Sequence, residues 1–297
     1  MSRTVTVGLD GSPESRAAAE WAAREARLRG LPLRLLHVRE PVAQAPLLGA
    51  EAQRHWSERV PREAAEGLRL RHPGLDVLTE QRGGRPADVL AEAAGDGDLL
   101  VLGSRGLGGL GGFLVGSVGL AVVARTEQPV VLVRAGEQAA DEHEPDPVGI
   151  PSAATRYRPV LLGLDADRPA DATLRFAFEE AARRDTGLRV VHGWNLPPYY
   201  VHGLPADPRL HDGIARERAA ALAGILDPWR RKFPDVEVAE ESFGGSPSVR
   251  LVEASGEASL VVVGRRIRRS AFGTRIGSVA HAVLHHSTAP VAVVAHD

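Results

Sequence analysis

The residues best suited to chemistry lie between Gly103 and Val118: Gly103-Ser104-Arg105-Gly106-Leu107-Gly108-Gly109 and, six residues on, Gly116-Ser117-Val118. Glycines allow left-handed backbone and let N–H groups approach an anion with no side chain between. Ser117 opens a stretch of helical composition, Val118 to Thr126. The N-terminal dipole and unpaired N–H groups of such a helix favour phosphate. The run therefore reads as a phosphate cradle made of backbone, hydroxyl and Arg105. Taken singly, each residue has a plainer role: Ser117 as a helix cap, Arg105 as a solvated loop residue, Asp10 as a turn-former before Gly11. Taken together, at this spacing, they point to binding.

Other chemistries fit less well. The chain has no cysteine, which excludes disulfides, thiol nucleophiles and cysteine-ligated zinc. Lys232 is the only lysine, which excludes the lysine-ended P-loop in the first half. Gly106-Leu-Gly108-Gly-Leu-Gly111 satisfies the Gly-x-Gly-x-x-Gly pattern, but it follows a fourth strand, whereas the dinucleotide fingerprint leaves the first strand of its unit. The arginines of 265–269 invite a nucleic-acid reading, yet no broader basic face accompanies them, and a formal net charge of -2 gives no global pull toward polyanions. His281 and His285 are spaced as zinc ligands are, but no glutamate makes them His-Glu-x-x-His, and no metal site is expected. His37 and His192 recur at equivalent strand ends, where packing or hydrogen bonding is the expected role. No hydrolytic triad is recognisable, and no catalytic residue is assigned.

The elements that must position the cradle come in two copies. Val5-Thr-Val-Gly8-Leu-Asp10 recurs 155 residues later as Val160-Leu-Leu-Gly163-Leu-Asp165. From Gly83 onward the offset is 161, so that Gly103 matches Gly264 and Gly116-Ser117-Val118 matches Gly277-Ser278-Val279. Short Val/Leu runs alternate with longer Ala/Arg/Glu stretches, the pattern of βαβ units on a parallel sheet. The first copy is predicted to carry strands at Thr4–Asp10, Leu33–Val38, Leu75–Glu80, Leu99–Gly103 and Val130–Arg134. Ser12 and Pro13 are predicted to start the first helix, and Gly30 to end it. Residues 1–136 and 158–297 read as two domains, and 137–157, acidic and rich in proline, as a flexible linker. No apolar run approaches the roughly 20 residues a membrane span needs, and no secretory leader is evident, so a cytoplasmic protein is expected.

The spacing Gly-x2-Gly-x9-Gly-Ser, inside Gly-Ser-Arg-Gly and ahead of Pro129-Val-Val-Leu-Val133, resembles the ATP-binding motif of the universal stress protein family. The resemblance spans both copies. It implies an α/β fold of two tandem open, five-stranded parallel-sheet domains, Rossmann-like and similar to adenine nucleotide alpha hydrolases, related by a pseudo-twofold near their fifth strands. It places Gly8 and Asp10 at the ribose and adenine side, the Val38 backbone at the adenine edge, and Gly103 to Gly109, Gly116, Ser117 and Val118 around ribose and phosphates. The cofactor implied is ATP with magnesium, and the role implied is regulatory, in stress or dormancy, without efficient turnover. Partners expected are an adenine nucleotide and a protein the sequence does not name; a homo-oligomer is allowed, and neither membrane nor nucleic acid is expected. The second copy departs from the motif. Ile267 replaces the middle glycine, and Asp165 is followed by Ala166-Asp167 rather than Gly-Ser. Weaker or altered nucleotide binding is expected at Gly163, Asp165, Gly264, Gly277, Ser278 and Val279. A slow ATP hydrolase or nucleotidyl transferase, and a nucleotide-independent scaffold, are the alternatives.

Overall fold

The computed structural model describes residues 3–40, 50–106, 113–114, 116–195, 208–267 and 276–297. In the first copy, β1 (Val5–Leu9), α1 (Pro13–Arg29), β2 (Leu33–Arg39), α2 (Ala50–Arg71), β3 (Val77–Gly83), α3 (Pro86–Gly95) and β4 (Leu99–Gly106) lead through the two-residue β5 (Phe113–Leu114) to α4 (Ser117–Arg125) and β6 (Val130–Arg134). The second copy repeats the plan with β7 (Val160–Gly163), α5 (Asp171–Arg183), β8 (Leu188–Trp194), α6 (Pro208–Lys232), β9 (Val238–Gly244), α7 (Pro247–Ala254), β10 (Leu260–Arg266), α8 (Ser278–His286) and β11 (Val291–His296).

Each copy is an open parallel sheet of order β3-β2-β1-β4-β6 or β9-β8-β7-β10-β11. The two are zipped by one antiparallel pair, with Val130, Val131 and Leu132 of β6 opposite Val293, Ala292 and Val291 of β11. The strands are apolar on both sides because both faces are covered. Val5, Val7, Leu99 and Val101 pack toward α1, while Leu100 and Leu102 pack toward α3 and α4. One core lies under α1, α2, α5 and α6 and runs unbroken across the seam through Val131, Val133, Ala292 and Val294; the other lies under α3, α4, α7 and α8.

The local signals for α1 act as read. Ser12 accepts the Ser15 N–H, Pro13 is the first helical residue, and Gly30 closes the helix at φ 62. β4 runs three residues past its expected end, because Ser104 still pairs with Arg134 and because Arg105 and Gly106 turn to pair with Leu114 and Phe113 of β5.

The pseudo-twofold is marked by a closed ring of charge. Glu25 and Arg29 of α1 are matched at the 155 offset by Glu180 and Arg184. Arg29 binds Glu25 and Glu180 at 2.5 Å each, and Arg184 binds Glu25 at 2.6 Å and also Glu180. Both arginines lie beside the equivalent aromatics of the opposite helix, Arg184 at 5.9 Å from Trp21 and Arg29 at 5.8 Å from Phe176. Burial opposes the Glu25 charge, but Arg184 and Arg29 outweigh it and hold that carboxyl down at about 2.

Residues 137–157, which composition reads as a flexible linker with little to bury, pack against the fold. Arg24 reaches Glu137 and Glu142, each at 2.6 Å and each buried, and His143 and Tyr157 form an antiparallel bridge with their rings 4.0 Å apart. Acidic composition cannot show that one arginine from another element gathers two of the acids. Burial pushes the Glu137 carboxyl up to about 8; Arg24 pulls it down, and Glu142 and Asp141 add to the rise. A carboxyl whose folded pKa is raised stabilises most fully below its unfolded value, and loses that contribution as pH rises through the folded one. Amides of 138–157 are therefore expected to show lower protection, relative to their intrinsic base-catalysed exchange rates, at pH 9 than at pH 6. Glu137→Gln should abolish most of that difference, and an unchanged pH dependence in the variant would count against the account.

Candidate functional site

In each copy the chain order reverses between the first and fourth strands, β1 beside β4 and β7 beside β10, and the carboxyl ends of these strands are where open α/β sheets bind ligands. In the first copy Asp10 leaves β1 at this point and folds back on itself: its carboxylate accepts the Ser12 N–H at 2.9 Å and the Ser12 hydroxyl at 2.5 Å. Burial works against its charge, but these bonds and Ser15 outweigh it, keeping the Asp10 carboxyl below the ordinary range. His37 Nδ1 donates to Leu9 O at 2.8 Å and so ties the ends of β1 and β2 together; His192 makes the same bond to Leu164 O at 3.1 Å. Val38 follows His37 on β2 and packs at the edge of the core under α3 and α4. Gly8, on β1, faces Leu102 and Leu90 with no room for a side chain.

The glycines act differently from the expectation of left-handed backbone. Gly103 lies within β4, and a methyl group on it would sit 2.6 Å from the Glu14 carbonyl carbon and 2.8 Å from the Ser15 nitrogen, so the first turn of α1 rests directly on the strand. Gly116 is extended, at φ −62 and ψ 155, and is the N-cap of α4, with no side-chain cap. Ser117 is therefore the first helical residue rather than the cap, and its neighbours Val118 and Gly119 continue the first turn. Ser104 is buried, its hydroxyl donating to Val133 O at 3.2 Å. Gly106 and Arg105 belong to β4 by their backbone, and Leu107, Gly108 and Gly109, with Gly111, lie outside the described residues.

The second copy shows the assembled cleft. A cavity of about 980 Å³ is lined by Gly163, Asp165, Gly264, Gly277, Ser278 and Val279, all six residues expected there. Gly277 is the N-cap of α8 and offers no side chain to close it, and a side chain added there would meet none of the described residues within 4 Å.

The repeated fold is reflected in known proteins. The model of the universal stress protein family matches residues 1–134 and 156–295. This chain belongs to the universal stress protein family. A universal stress protein of Mycolicibacterium smegmatis is 34% identical over 304 residues, covering 98% of this chain and 96% of that one. A Mycobacterium tuberculosis universal stress protein is 33% identical over 299 residues, covering 97% and 96%. A solved universal stress protein from Archaeoglobus fulgidus shares the tandem fold over the whole of both chains, with a TM-score of 0.75 at 17% identity. Shorter universal stress proteins from Arabidopsis thaliana and A. fulgidus have been solved with AMP and with dAMP, at TM-scores of 0.34 and 0.36 over less than half of this chain.

Within this universal stress protein, the structure sorts the arginines of 265–269. Arg265 is buried and donates to Thr126 O at 2.6 Å, capping the end of α4 across the seam, which removes it from both the cleft and any nucleic-acid surface. Arg266 lines the cleft, and Arg268 and Arg269 lie outside the described residues. Ile267 donates its N–H to His296 O at 2.6 Å, prolonging the β10–β11 ladder where the first copy turns into β5. The rings of His281 and His285 lie 4.4 Å apart and tilted by 45°, and among the described residues no three His, Asp or Glu side chains gather as a metal site. Sequence reasoning missed Trp194, Ser246, Ser248, Arg218 and His296, which also line the second cleft. The repeat of Gly83-Gly84-Arg-Pro86 as Gly244-Gly245-Ser246-Pro247 was the available signal for one of them, since a motif kept in both copies at the same strand end marks the same cleft.

Proposed function

We propose that this universal stress protein binds an adenine nucleotide, ATP, and uses it to tune the association of its halves or their contact with a protein partner, without efficient turnover. The observation that carries the reading is the convergence of Gly163, Asp165, Gly264, Gly277 and Ser278 on one cavity at the strand-order reversal, with an uncapped helix N-terminus facing it. Such a terminus presents unpaired N–H groups and the positive end of a helix dipole, which suits phosphate. The residues fit a nucleotide. They do not by themselves form a magnesium site, since Asp10 already accepts two bonds from Ser12 and the described residues hold no cluster of three ligands. A stress or dormancy role is in keeping with the family. Among the described residues no helix is long and apolar enough to cross a membrane.

The first copy is proposed to hold nucleotide more tightly than the second, because Ile267 spends its N–H on His296 and puts a branched side chain where Gly106 stands. Mass spectrometry of freshly purified protein should find bound ATP, and calorimetry should resolve one tight and one weaker site. Ligand at 100 times Kd should raise stability by about 2.7 kcal/mol. A nucleotide-free protein with no thermal shift in ATP and magnesium sinks the reading; two equal sites sink the ranking of the copies. Multiple-turnover phosphate release that Gly116→Val abolishes would favour a hydrolase instead.

A further inference from the structure

The second cleft differs from the first at a place the family motif does not touch. At the 155 offset, Pro13, where α1 begins, corresponds to Arg168, yet α5 begins three residues later at Asp171. Arg168 precedes Pro169, and a residue before proline is steered away from helical backbone. α5 thus lacks the turn that, in α1, lies on Gly103. What faces Gly264 instead is polar: a methyl group built there would lie 2.9 Å from His296 Nε2 and 3.2 Å from Thr173 Oγ1. Thr173 is 2% exposed, and its hydroxyl has no hydrogen-bond partner among the described residues. In the first copy the same helix position is Ala18. The end of α1 is closed by Ser12, whereas Ala170 gives α5 no side-chain cap. Ala170, Thr173, Gly264 and His296 all line the cavity of about 980 Å³ that α8 also faces.

We propose that this vacated turn is a second oxyanion subsite, formed by the uncapped N-terminus of α5, the Thr173 hydroxyl and the His296 ring, and that it takes a phosphate- or sulfate-like group. It deepens the nucleotide reading of the same cleft but stands on separate residues from the α8 terminus. A buried hydroxyl without a partner is a cost that an anionic oxygen removes. His296 Nδ1 donates to Asp297 O at 2.9 Å, so Nε2 offers a proton to an anion only when the ring is doubly protonated. Binding should therefore take up a proton. The neighbouring charges are accounted for: Asp167 is held by Arg218, Asp165 lies 3.4 Å from Arg168, Asp171 is exposed on the first turn of α5, and Arg266 and Asp297 line the same cavity.

The test uses the full chain and inorganic sulfate, whose charge does not titrate near neutrality. Calorimetry and the His296 ring signals in NMR report binding at pH 6 and pH 8. The expected result is sulfate binding at least tenfold tighter at pH 6, with Thr173→Val weakening it severalfold and His296→Gln removing the pH difference. Loss of a bound sulfate on adding ATP would identify a nucleotide phosphate as the natural group, and its persistence a free anion. Sulfate binding that ignores both substitutions but falls with Gly277→Val would put the anion at α8 alone and overturn the proposal, as would no binding at either pH. A protein that fails to bind ATP but keeps Thr173-dependent sulfate binding would separate this subsite from the nucleotide reading.

Discussion

Arg184→Met should destabilise the protein by about 3–5 kcal/mol, because the substitution leaves buried carboxylates without their counter-charge. The Arg184 side chain is fully buried and binds Glu25 at 2.6 Å and Glu180 within its own helix, so one substitution strips one cation from a ring of four charges. Arg29, with Arg183 on Glu180, would then face two carboxylates that are each 1% exposed. At about 2–4 °C per kcal/mol for a chain of this size, thermal unfolding should fall by roughly 10 °C. Adding Glu25→Leu to Arg184→Met should recover part of the loss, since a buried pair removed together costs far less than one partner removed alone. A loss under about 1 kcal/mol would show that water reaches the ring and that its four charges act as a surface pair does.

Gly103→Val should cost about 3 kcal/mol, at the upper end of what overpacking a core typically does. The added branch would meet the backbone of Glu14 and Ser15, and relief requires moving the start of α1 off β4. Gly264→Val offers a built-in comparison. Its contacts are the side chains of His296 and Thr173, which can turn aside, so the loss in chemical denaturation should be smaller by about 1–2 kcal/mol. Equal losses at the two positions would mean that the missing turn of α5 has not loosened the site. Because Gly103 opens the proposed first cradle, the same variant should also lose its tight ATP site.

The fold was legible because it is written twice. The recurrence of Gly-Leu-Asp, and of Val-Leu-Gly as Val-Val-Gly, at fixed offsets shows two similar sheets, and continuous apolar strands show that both faces are covered. Six residues of the second cleft, Gly163, Asp165, Gly264, Gly277, Ser278 and Val279, were legible for the same reason, each being the echo of a first-copy position. What stayed hidden was long-range pairing of polar groups. Arg265 reads as one of a basic run and is a seam cap; Glu137 and Glu142 read as solvated acids and close on Arg24. Nothing local marks Glu25 and Arg184 as partners 159 residues apart. Gly103 reads as a place for the backbone to turn and is instead where a helix comes close, because a pattern of glycines does not tell the two apart. His296 and Thr173 carry no motif, and only the delayed start of α5 brings them into view.

The antiparallel junction of β6 and β11 has a consequence for how such a chain diverges. In a symmetric pair of identical chains every substitution at the contact is made twice, on both sides of the axis, and must suit itself. Here the partners are unequal and permanently tethered, so neither dilution nor competition from another copy separates them. A change in one half is met once, by a counterpart free to answer it differently. Arg265 shows the result: it reaches over to Thr126, while the equivalent position in the other half is the small, inward-turned Ser104.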